Sequence, residues 1–319
     1  MNYSYYLPEG SYIYSQENLS YTTSLAGLER AMREGKILEA NVKMCDEELN
    51  LHVDLFGING IMPKNECLIT EGNEPIKEIA IITRVGKPVC FKVVGIEQFG
   101  NGYRAILSRR AAQTECRSFY LSSLVPGDII PATVTHLDTF GAFVDVGCGI
   151  VSLLSIDCIS VSRISHPADR LSNGQKINVV VKSNDFQTGR IYVTLKELLG
   201  TWEENAAQFC IGQTVNGIVR SIESYGIFIE LAPNLAGLAE LRDDNPSFRN
   251  IAVGDNVSVY IKSIIREKMK IKLVLIDLTH AQVQKTPIRY FINTDEIRHI
   301  GSWRYSSERA PKLIETVFE

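Results

Sequence analysis

The chain has 319 residues, of which 45% are hydrophobic and 22% are charged, and its formal net charge is −4. This length exceeds one ordinary hydrophobic core and predicts two to four domains, and the composition is that of a globular rather than a disordered protein. The acidic balance disfavours electrostatic binding to duplex nucleic acid, whereas stacking on single strands requires only local clusters of basic side chains.

Targeting and catalytic signals are absent from the sequence. Residues 1–20 are rich in Tyr, Ser and Asn without the basic-then-apolar order of a secretion signal, and no apolar run has the length of a membrane span. We therefore expect a cytoplasmic protein with no membrane partner.

The seven cysteines form no CxxC pair and no zinc signature with the five histidines, which predicts reduced thiols and neither metal nor cofactor. Phosphate-binding, dinucleotide and metalloprotease motifs are also missing, so we expect no enzymatic activity.

A β-rich pattern occurs three times along the chain. The repeats open at Gly35, Gly127 and Gly212, and each contains alternating residues, a glycine-containing turn and a closing strand. Spacings of about 85 to 92 residues fit compact five-stranded barrels and exceed the usual length of solenoid repeats. Helical periodicity over residues 24–34 and 201–209 predicts short connectors packed against barrel ends.

These boundaries predict three domains between two tails. The predicted units are an N-terminal tail (1–23), a first barrel (24–116), a second barrel (122–199), a third barrel (201–278) and a C-terminal tail (279–319). Residues 113–123 are interpreted as a linker. The sequence indicates no fold and no role for the C-terminal tail.

The second and third repeats both place an aromatic pair around a glycine turn. The pair is Phe140 and Phe143 in the second repeat, and Tyr225 and Phe228 in the third. Aromatic rings on the outer face of a small barrel can stack unpaired bases, so the pattern predicts nucleic-acid-binding modules. The alternative is that these rings close the ends of the barrels.

Strand alternation favours the solvent-facing interpretation. Phe143 lies two residues before Asp145, and Phe228 lies two residues before Glu230, so each ring shares a strand face with a carboxylate. Since carboxylates are seldom buried, we expect that face to be exposed in both repeats.

Basic side chains around the rings are candidate phosphate contacts. Taken singly, such residues are usually solvated surface charges, and only grouping on the aromatic face would give them a role. The candidates are His136, Lys176, Lys182 and Arg190 in the second repeat, and Arg220, Lys262, Arg266, Lys270 and Lys272 in the third.

The first repeat departs from this pattern. Its alternation places His52 where the second repeat has Phe143, and no aromatic residue replaces Phe140. We therefore expect the first barrel to act as a docking or spacer module.

These residues resemble the S1 domain, an RNA-binding member of the OB-fold class, and most closely the multi-domain ribosomal protein S1 family of bacteria. The match is best in the second repeat, at residues 140–145 and 188–191, and it extends over about residues 24–275. Supporting strings occur at residues 34–38, 60–63, 106–111 and 202–204. The resemblance implies an all-β protein of three tandem five-stranded OB-fold barrels of the S1 type, with short connecting helices.

In S1 domains the RNA surface uses two aromatics, a histidine, an aspartate and an arginine. The resemblance implies that Phe140, Phe143, Asp185 and Arg190 contact RNA in the second repeat, whereas Ser155 occupies the position of the histidine.

In the third repeat Tyr225, Phe228 and Lys270 match the pattern, whereas Glu240 takes the histidine position and Ile265 the aspartate position. A carboxylate at Glu240 would repel phosphate, so we expect this repeat to bind RNA more weakly.

The resemblance implies a non-enzymatic binder of single-stranded RNA, such as mRNA, acting in translation near the small ribosomal subunit. Two alternatives use the same barrels. One is a protein-interaction adaptor, and the other is a regulator of RNA decay or transcription away from the ribosome.

Overall fold

The structure, a computed structural model, describes residues 6–70, 76–185, 189–240, 251–278, 287–308, 310 and 313–318. Within these residues it contains three closed five-stranded barrels and one two-stranded sheet. The prediction of an all-β protein made of three tandem barrels is therefore confirmed. Among the described helices, none has both the length and the apolar character needed to cross a membrane.

The three barrels share one topology. In each barrel the first, second, third, fifth and fourth strands follow one another around the wall, and the third and fifth strands pair in parallel. Barrel one contains β1 (Ile37–Cys45), β2 (Leu51–Leu55), β3 (Ile58–Met62), β4 (Pro88–Phe99) and β5 (Gly102–Ser108), with helix α3 (Glu78–Ile82) between β3 and β4. Barrel two contains β6 (Ile129–Asp138), β7 (Gly141–Asp145), β8 (Val151–Ser155), β9 (Lys176–Asp185) and β10 (Arg190–Thr194). Barrel three contains β11 (Thr214–Glu223), β12 (Gly226–Ala232), β13 (Leu235–Ala239), β14 (Asn256–Ile265) and β15 (Lys270–Leu278).

Short helices lie before barrels one and three. Helices α1 (Gln16–Thr22) and α2 (Leu25–Glu34) precede barrel one, and the left-handed Gly35 (φ 64°) ends α2. Helix α5 (Trp202–Ala206) precedes barrel three and begins with a capping box between Thr201 and Glu204. Both predicted connectors are therefore present, although α5 ends before residue 209.

The predicted linker at residues 113–123 is helical. It comprises the end of α4 (Arg109–Glu115), a π-helical turn (Cys116–Tyr120) and a 3-10 turn (Leu121–Ser123). Residues of this segment are buried in the same apolar cluster as the core of barrel two, and Cys90 of barrel one joins that cluster. The segment thus packs barrel one against barrel two.

The described part of the N-terminal tail is built into the junction of barrels one and two. The Glu9 carboxylate accepts hydrogen bonds from Arg109 Nε (2.7 Å) and the Cys90 amide (3.0 Å). The Glu9 amide in turn donates to Asp145 Oδ2 at 2.8 Å. Burial, followed by the charge of Glu9, raises the pKa of Asp145 to about 7. Asp145 therefore belongs to a buried polar junction and does not face solvent as the alternation predicted.

The described part of the C-terminal tail, from residue 287 onward, packs on barrels two and three. Strands β16 (Ser302–Arg304) and β17 (Glu315–Val317) pair with each other, and Trp303 and Tyr305 are buried in the core cluster of barrel three. Tyr290 and Phe318 pack against the core of barrel two. This segment therefore connects the second and third barrels, a role that its sequence did not indicate.

Candidate nucleic-acid interface

Three aromatic side chains cluster on the outer surface of barrel two. Ala142 and Val144 are fully buried, so Phe143 points outward from β7. The Phe140 ring, 50% exposed, meets Phe143 edge to face at 5.8 Å between centroids. A register shift between Val134 and His136 sets the exposed His136 opposite Phe143, where the two rings lie 6.1 Å apart with an interplanar angle of 23°.

Barrel three repeats this geometry. Tyr225 is 61% exposed, and its ring meets Phe228 edge to face at 6.2 Å between centroids. The glycine after Tyr225 is required because a Cβ at Gly226 would lie 2.6 Å from the carbonyl oxygen of Ala239. Ser221 stands opposite Phe228, in the place of the histidine of barrel two, so barrel three has two clustered rings where barrel two has three.

The strand register of barrel two brings a further ring onto the same face. Phe143 pairs with Leu153 on β8, and Leu153 pairs with Tyr192 on β10. Tyr192 is 38% exposed, and it alternates with the buried Ile191 and Val193. The sequence does not predict a role for Tyr192, because this residue adjoins Phe143 only through the pairing of strands that are distant in sequence. In barrel three the same register position holds Lys272, opposite Leu238.

Two of the candidates of barrel two, Asp185 and Arg190, lie at the end of this face. Asp185 closes β9 opposite Arg190, which opens β10 and is exposed. Thr188, part of the resembling motif, lies outside the described residues. Lys182 is exposed, with its ammonium nitrogen 3.4 Å from the Cys158 sulfur.

Comparisons with known proteins agree with this geometry. A family model described as "S1 RNA binding domain" matches residues 124–196. Small ribosomal subunit protein bS1 of Rickettsia conorii is 28% identical over 257 residues, covering 77% of this chain and 43% of its own. The bS1 protein of Leuconostoc lactis is 31% identical over 237 residues, covering 70% of this chain and 52% of its own. The chain belongs to the bacterial S1 family.

The S1 chain spans about half the length of the curated relatives it matches. Among solved structures, a multidomain protein with nucleic acid binding domains from Streptococcus pneumoniae aligns over 78% of this chain and 76% of its own. Its identity to this chain is 15% and its TM-score is 0.25.

Arg220 was expected to contact phosphate, but in this S1 chain its side chain is only 6% exposed. Its Nε donates to Glu230 at 2.7 Å, and its Nη1 lies 3.0 Å from Asp169 of barrel two. Glu230, itself 5% exposed, also accepts a hydrogen bond from Arg170 of barrel two. The guanidinium of Arg220 is thus neutralised within the junction of barrels two and three, and the prediction for this residue is wrong.

Asp145 and Glu230 are buried, so the expectation that these carboxylates keep the strand faces of Phe143 and Phe228 exposed is wrong. The two carboxylates share strand faces with Phe143 and Phe228, as alternation predicted, but each is covered by a junction between barrels. The rings lie further along the same faces, where Phe140 and Tyr225 are exposed at the turns. Their accessibility therefore comes from position along the strand and not from a carboxylate neighbour.

The remaining basic candidates of the third S1 barrel are exposed. Lys262 lies on β14, and Lys270 stands opposite Ile265 in the register that Arg190 occupies in barrel two. Glu240, in the histidine position, lies 3.5 Å from Lys272, which offsets its charge.

The first S1 barrel lacks the ring cluster on its strands. His52 pairs with Met44 across a register shift, as Phe143 pairs with His136, so the predicted replacement of Phe143 by His52 is correct. The imidazole is bound to Asp46 (3.0 Å), and this hydrogen bond lowers the pKa of Asp46 to about 2. His52 is followed around the barrel wall by the aliphatic Ile61.

A substitution at Tyr192 tests whether this ring contributes to RNA binding in addition to Phe140 and Phe143. We expect Tyr192→Ala to weaken binding of an unstructured RNA by about 5- to 10-fold, because stacking on one ring contributes about 1 kcal/mol or more. Tyr192→Phe keeps the ring and should bind as the wild type does. Fluorescence anisotropy measures both, and equal affinity of the alanine variant and the wild type would remove Tyr192 from the interface.

Proposed function

We propose that this S1 chain binds single-stranded RNA by stacking bases on the ring pairs of barrels two and three. The observation that carries the proposal is that Phe140 with Phe143, and Tyr225 with Phe228, form the same edge-to-face pair at equivalent exposed turns. Every base has a π-face, so this arrangement accepts single strands of many sequences. Exposed basic residues near the rings then contact phosphates, and the chain acts without catalysis.

Barrel two is the stronger of the two RNA sites in this proposal. It adds His136 and Tyr192 to its ring pair and carries Arg190 at the end of the same face. In barrel three the corresponding serine offers no ring, and Lys272 is close to the carboxylate of Glu240.

The junction of barrels two and three supports tandem action. Glu230 binds Arg170 across the junction, Arg220 binds Asp169, and the C-terminal segment packs on both barrels. Two sites held in a fixed relation raise the effective concentration of the second for a strand already bound to the first. Isolated barrels should therefore bind RNA poorly and the tandem well.

We further propose that the chain acts in translation at the small ribosomal subunit in the cytoplasm. The support is that its relatives are named as small ribosomal subunit proteins. Use of the same RNA surface away from the ribosome is the alternative within this proposal.

A protein-interaction role is a second candidate for barrel one alone. On its outer face, Met44 and Ile106 stand where barrel two has the rings of His136 and Tyr192, Ile61 stands where barrel two has Leu153, and Met44 is markedly exposed. An aliphatic row of this kind suits contact with protein better than stacking on bases.

Two measurements test the proposed function. In fluorescence anisotropy, the full chain should bind an unstructured oligouridine more tightly than a duplex of the same length, and equal affinity for both would contradict the stacking mode. In ribosome co-sedimentation at low salt, the chain should pellet with small subunits. Its absence from the pellet, with RNA binding intact, would favour the role away from the ribosome.

A further inference from the structure

A buried carboxyl group lies on the outer side of barrel one. Glu39 stands on β1 between Leu38 and Ala40, which both belong to the core cluster of that barrel, so its side chain points away from the core. Glu39 is nevertheless only 4% exposed. Its Oε2 accepts hydrogen bonds from the amides of Gly10 (3.2 Å) and Tyr12 (2.9 Å). The carboxyl group therefore holds the N-terminal segment against the barrel.

Glu39 forms no ion pair in the described part of the chain. The two amides are the partners of its carboxyl group, and no described lysine, arginine or histidine lies within ion-pair distance of it. Glu9, by contrast, accepts hydrogen bonds from Arg109 Nε at 2.7 Å and Nη2 at 3.0 Å, and Arg84 lies 3.6 Å away. A buried carboxylate without a cation is costly, so Glu39 binds a proton more readily than an exposed carboxylate does.

Glu39 belongs to a buried cluster in which carboxyl groups outnumber cations. The N-terminal segment connects the members of the cluster, because the Glu9 amide donates to Asp145 while the next amide along the chain donates to Glu39. The charges that act on one another here are those of Glu9, Glu39, Asp145, Arg84 and Arg109. With all five groups ionised, three carboxylates face two guanidiniums, and one bound proton would make the cluster neutral.

The thiols that face this cluster do not change its charge. Cys90 pairs with Glu39 across β1 and β4, and Cys148 follows β7. Burial raises the pKa of the Cys90 thiol, and a hydrogen bond with Cys116 raises the pKa of Cys148, so both thiols are neutral near pH 7. Burial, followed by the charge of Glu9, raises the pKa of Glu39 itself to about 7. The proton that neutralises the cluster is therefore bound by a carboxyl group.

Hydrogen bonds show which of two carboxyl groups, Glu39 or Asp145, can hold this proton. Asp145 uses both oxygens as acceptors, Oδ1 for the amides of Gly147 (2.8 Å) and Gly149 (3.0 Å) and Oδ2 for the amide of Glu9 (2.8 Å). In the described contacts of Glu39, only Oε2 accepts hydrogen bonds. Its Oε1 is therefore the oxygen that can carry a proton without loss of an amide hydrogen bond.

We propose that the junction of barrels one and two closes with a proton on Oε1 of Glu39, and that loss of this proton at higher pH releases residues 9–12 from the barrels. When the segment opens, Glu39 reaches water and its pKa returns to the ordinary value of about 4.5. Because the pKa is higher in the closed form, closure binds a proton, and the stability that this proton adds is complete below about pH 4.5 and is lost as the pH rises through about 7. Above that pH both forms are deprotonated and the opening equilibrium becomes constant. The proposal does not depend on RNA binding.

Hydrogen exchange of the full chain, measured by mass spectrometry on a peptide covering residues 6–15, tests this proposal. After correction for the pH dependence of the intrinsic exchange rate, the opening equilibrium of the segment should rise at least about tenfold from about pH 5 to about pH 8. A peptide covering β14 in barrel three is the internal reference and should change by less than about a factor of two. Equal protection of residues 6–15 at both pH values would overturn the proposal.

Two variants show whether Glu39 is the group that titrates. Glu39→Gln is neutral at every pH and its carbonyl oxygen can accept both amides, so residues 6–15 should keep at about pH 8 the protection that they have at about pH 5. Asp54→Asn removes an exposed carboxyl group of the same barrel, which lies 3.1 Å from Lys43, and should leave the pH dependence of the wild type unchanged. A full pH dependence in Glu39→Gln, its loss in Asp54→Asn, or a segment unprotected at both pH values in Glu39→Gln would overturn the assignment to Glu39. The wild-type profile decides alone if a variant does not fold.

Discussion

The double substitution Phe143→Ala/Phe228→Ala should weaken binding of an unstructured RNA by at least about 30-fold. Each ring stacks one base in the proposed mode, and loss of one stacked base costs about 1–3 kcal/mol, so two losses of about 1 kcal/mol give that factor. Each substitution also removes the partner of an edge-to-face pair and so frees Phe140 and Tyr225 to change orientation. Fluorescence anisotropy with a labelled oligouridine measures the loss.

A matched control uses two exposed phenylalanines outside the ring clusters. Phe56 lies in the turn between β2 and β3, Phe119 lies in the helical connector, and both are more exposed than Phe140. Phe56→Ala/Phe119→Ala should leave the affinity unchanged within about a factor of two. A similar loss in both double variants, or no loss in either, would contradict a specific stacking role for Phe143 and Phe228.

Glu230→Gln should destabilise the junction of barrels two and three by about 3–5 kcal/mol, because removing one partner of a buried ion pair leaves uncompensated charge. The carboxylate of Glu230 accepts hydrogen bonds from both Arg170 and Arg220, and all three side chains are at most 9% exposed. Since the protein has several barrels, hydrogen exchange at the amides of barrel three is a better measure than one unfolding midpoint.

The exposed pair of Glu240 and Lys272 provides the control for that prediction. Its atoms lie 3.5 Å apart with side chains 66% and 50% exposed, so Glu240→Gln should change stability by less than about 1 kcal/mol. Equal effects of the two substitutions would contradict a structural role for the buried carboxylate. RNA affinity of the tandem should fall with Glu230→Gln, since the fixed relation of the two ring pairs is lost.

The barrels and the main rings could be predicted from the sequence because their signals are local. A glycine turn, an alternating strand and two rings three residues apart lie within one short segment, as residues 140–143 show. The β-bulge that brings His136 opposite Phe143 adds only a register detail to that local pattern.

Burial of the charged candidates could not be predicted, because alternation states which side of a strand a residue lies on and not what covers that side. Asp145 is covered by the N-terminal segment around Glu9, and Glu230 is covered by Arg170 of the preceding barrel. Both covering groups are far away in sequence.

Tyr192 could not be predicted for a second reason. Its ring adjoins Phe143 only through β8, because Phe143 pairs with Leu153 and Leu153 pairs with Tyr192. Which side chains adjoin one another across strands depends on the pairing register of the closed barrel, and the periodicity of a single strand does not reveal it.

Photo-crosslinking with an oligouridine that contains 4-thiouridine tests the central claim most directly. After irradiation of the full chain, mass spectrometry of the peptides identifies the residues that contact bases. We expect adducts at or beside Phe140, Phe143, Tyr225 and Phe228, which are lost in the presence of excess unlabelled single strand. Specific adducts confined to other surfaces of barrels two and three would contradict base stacking on these rings.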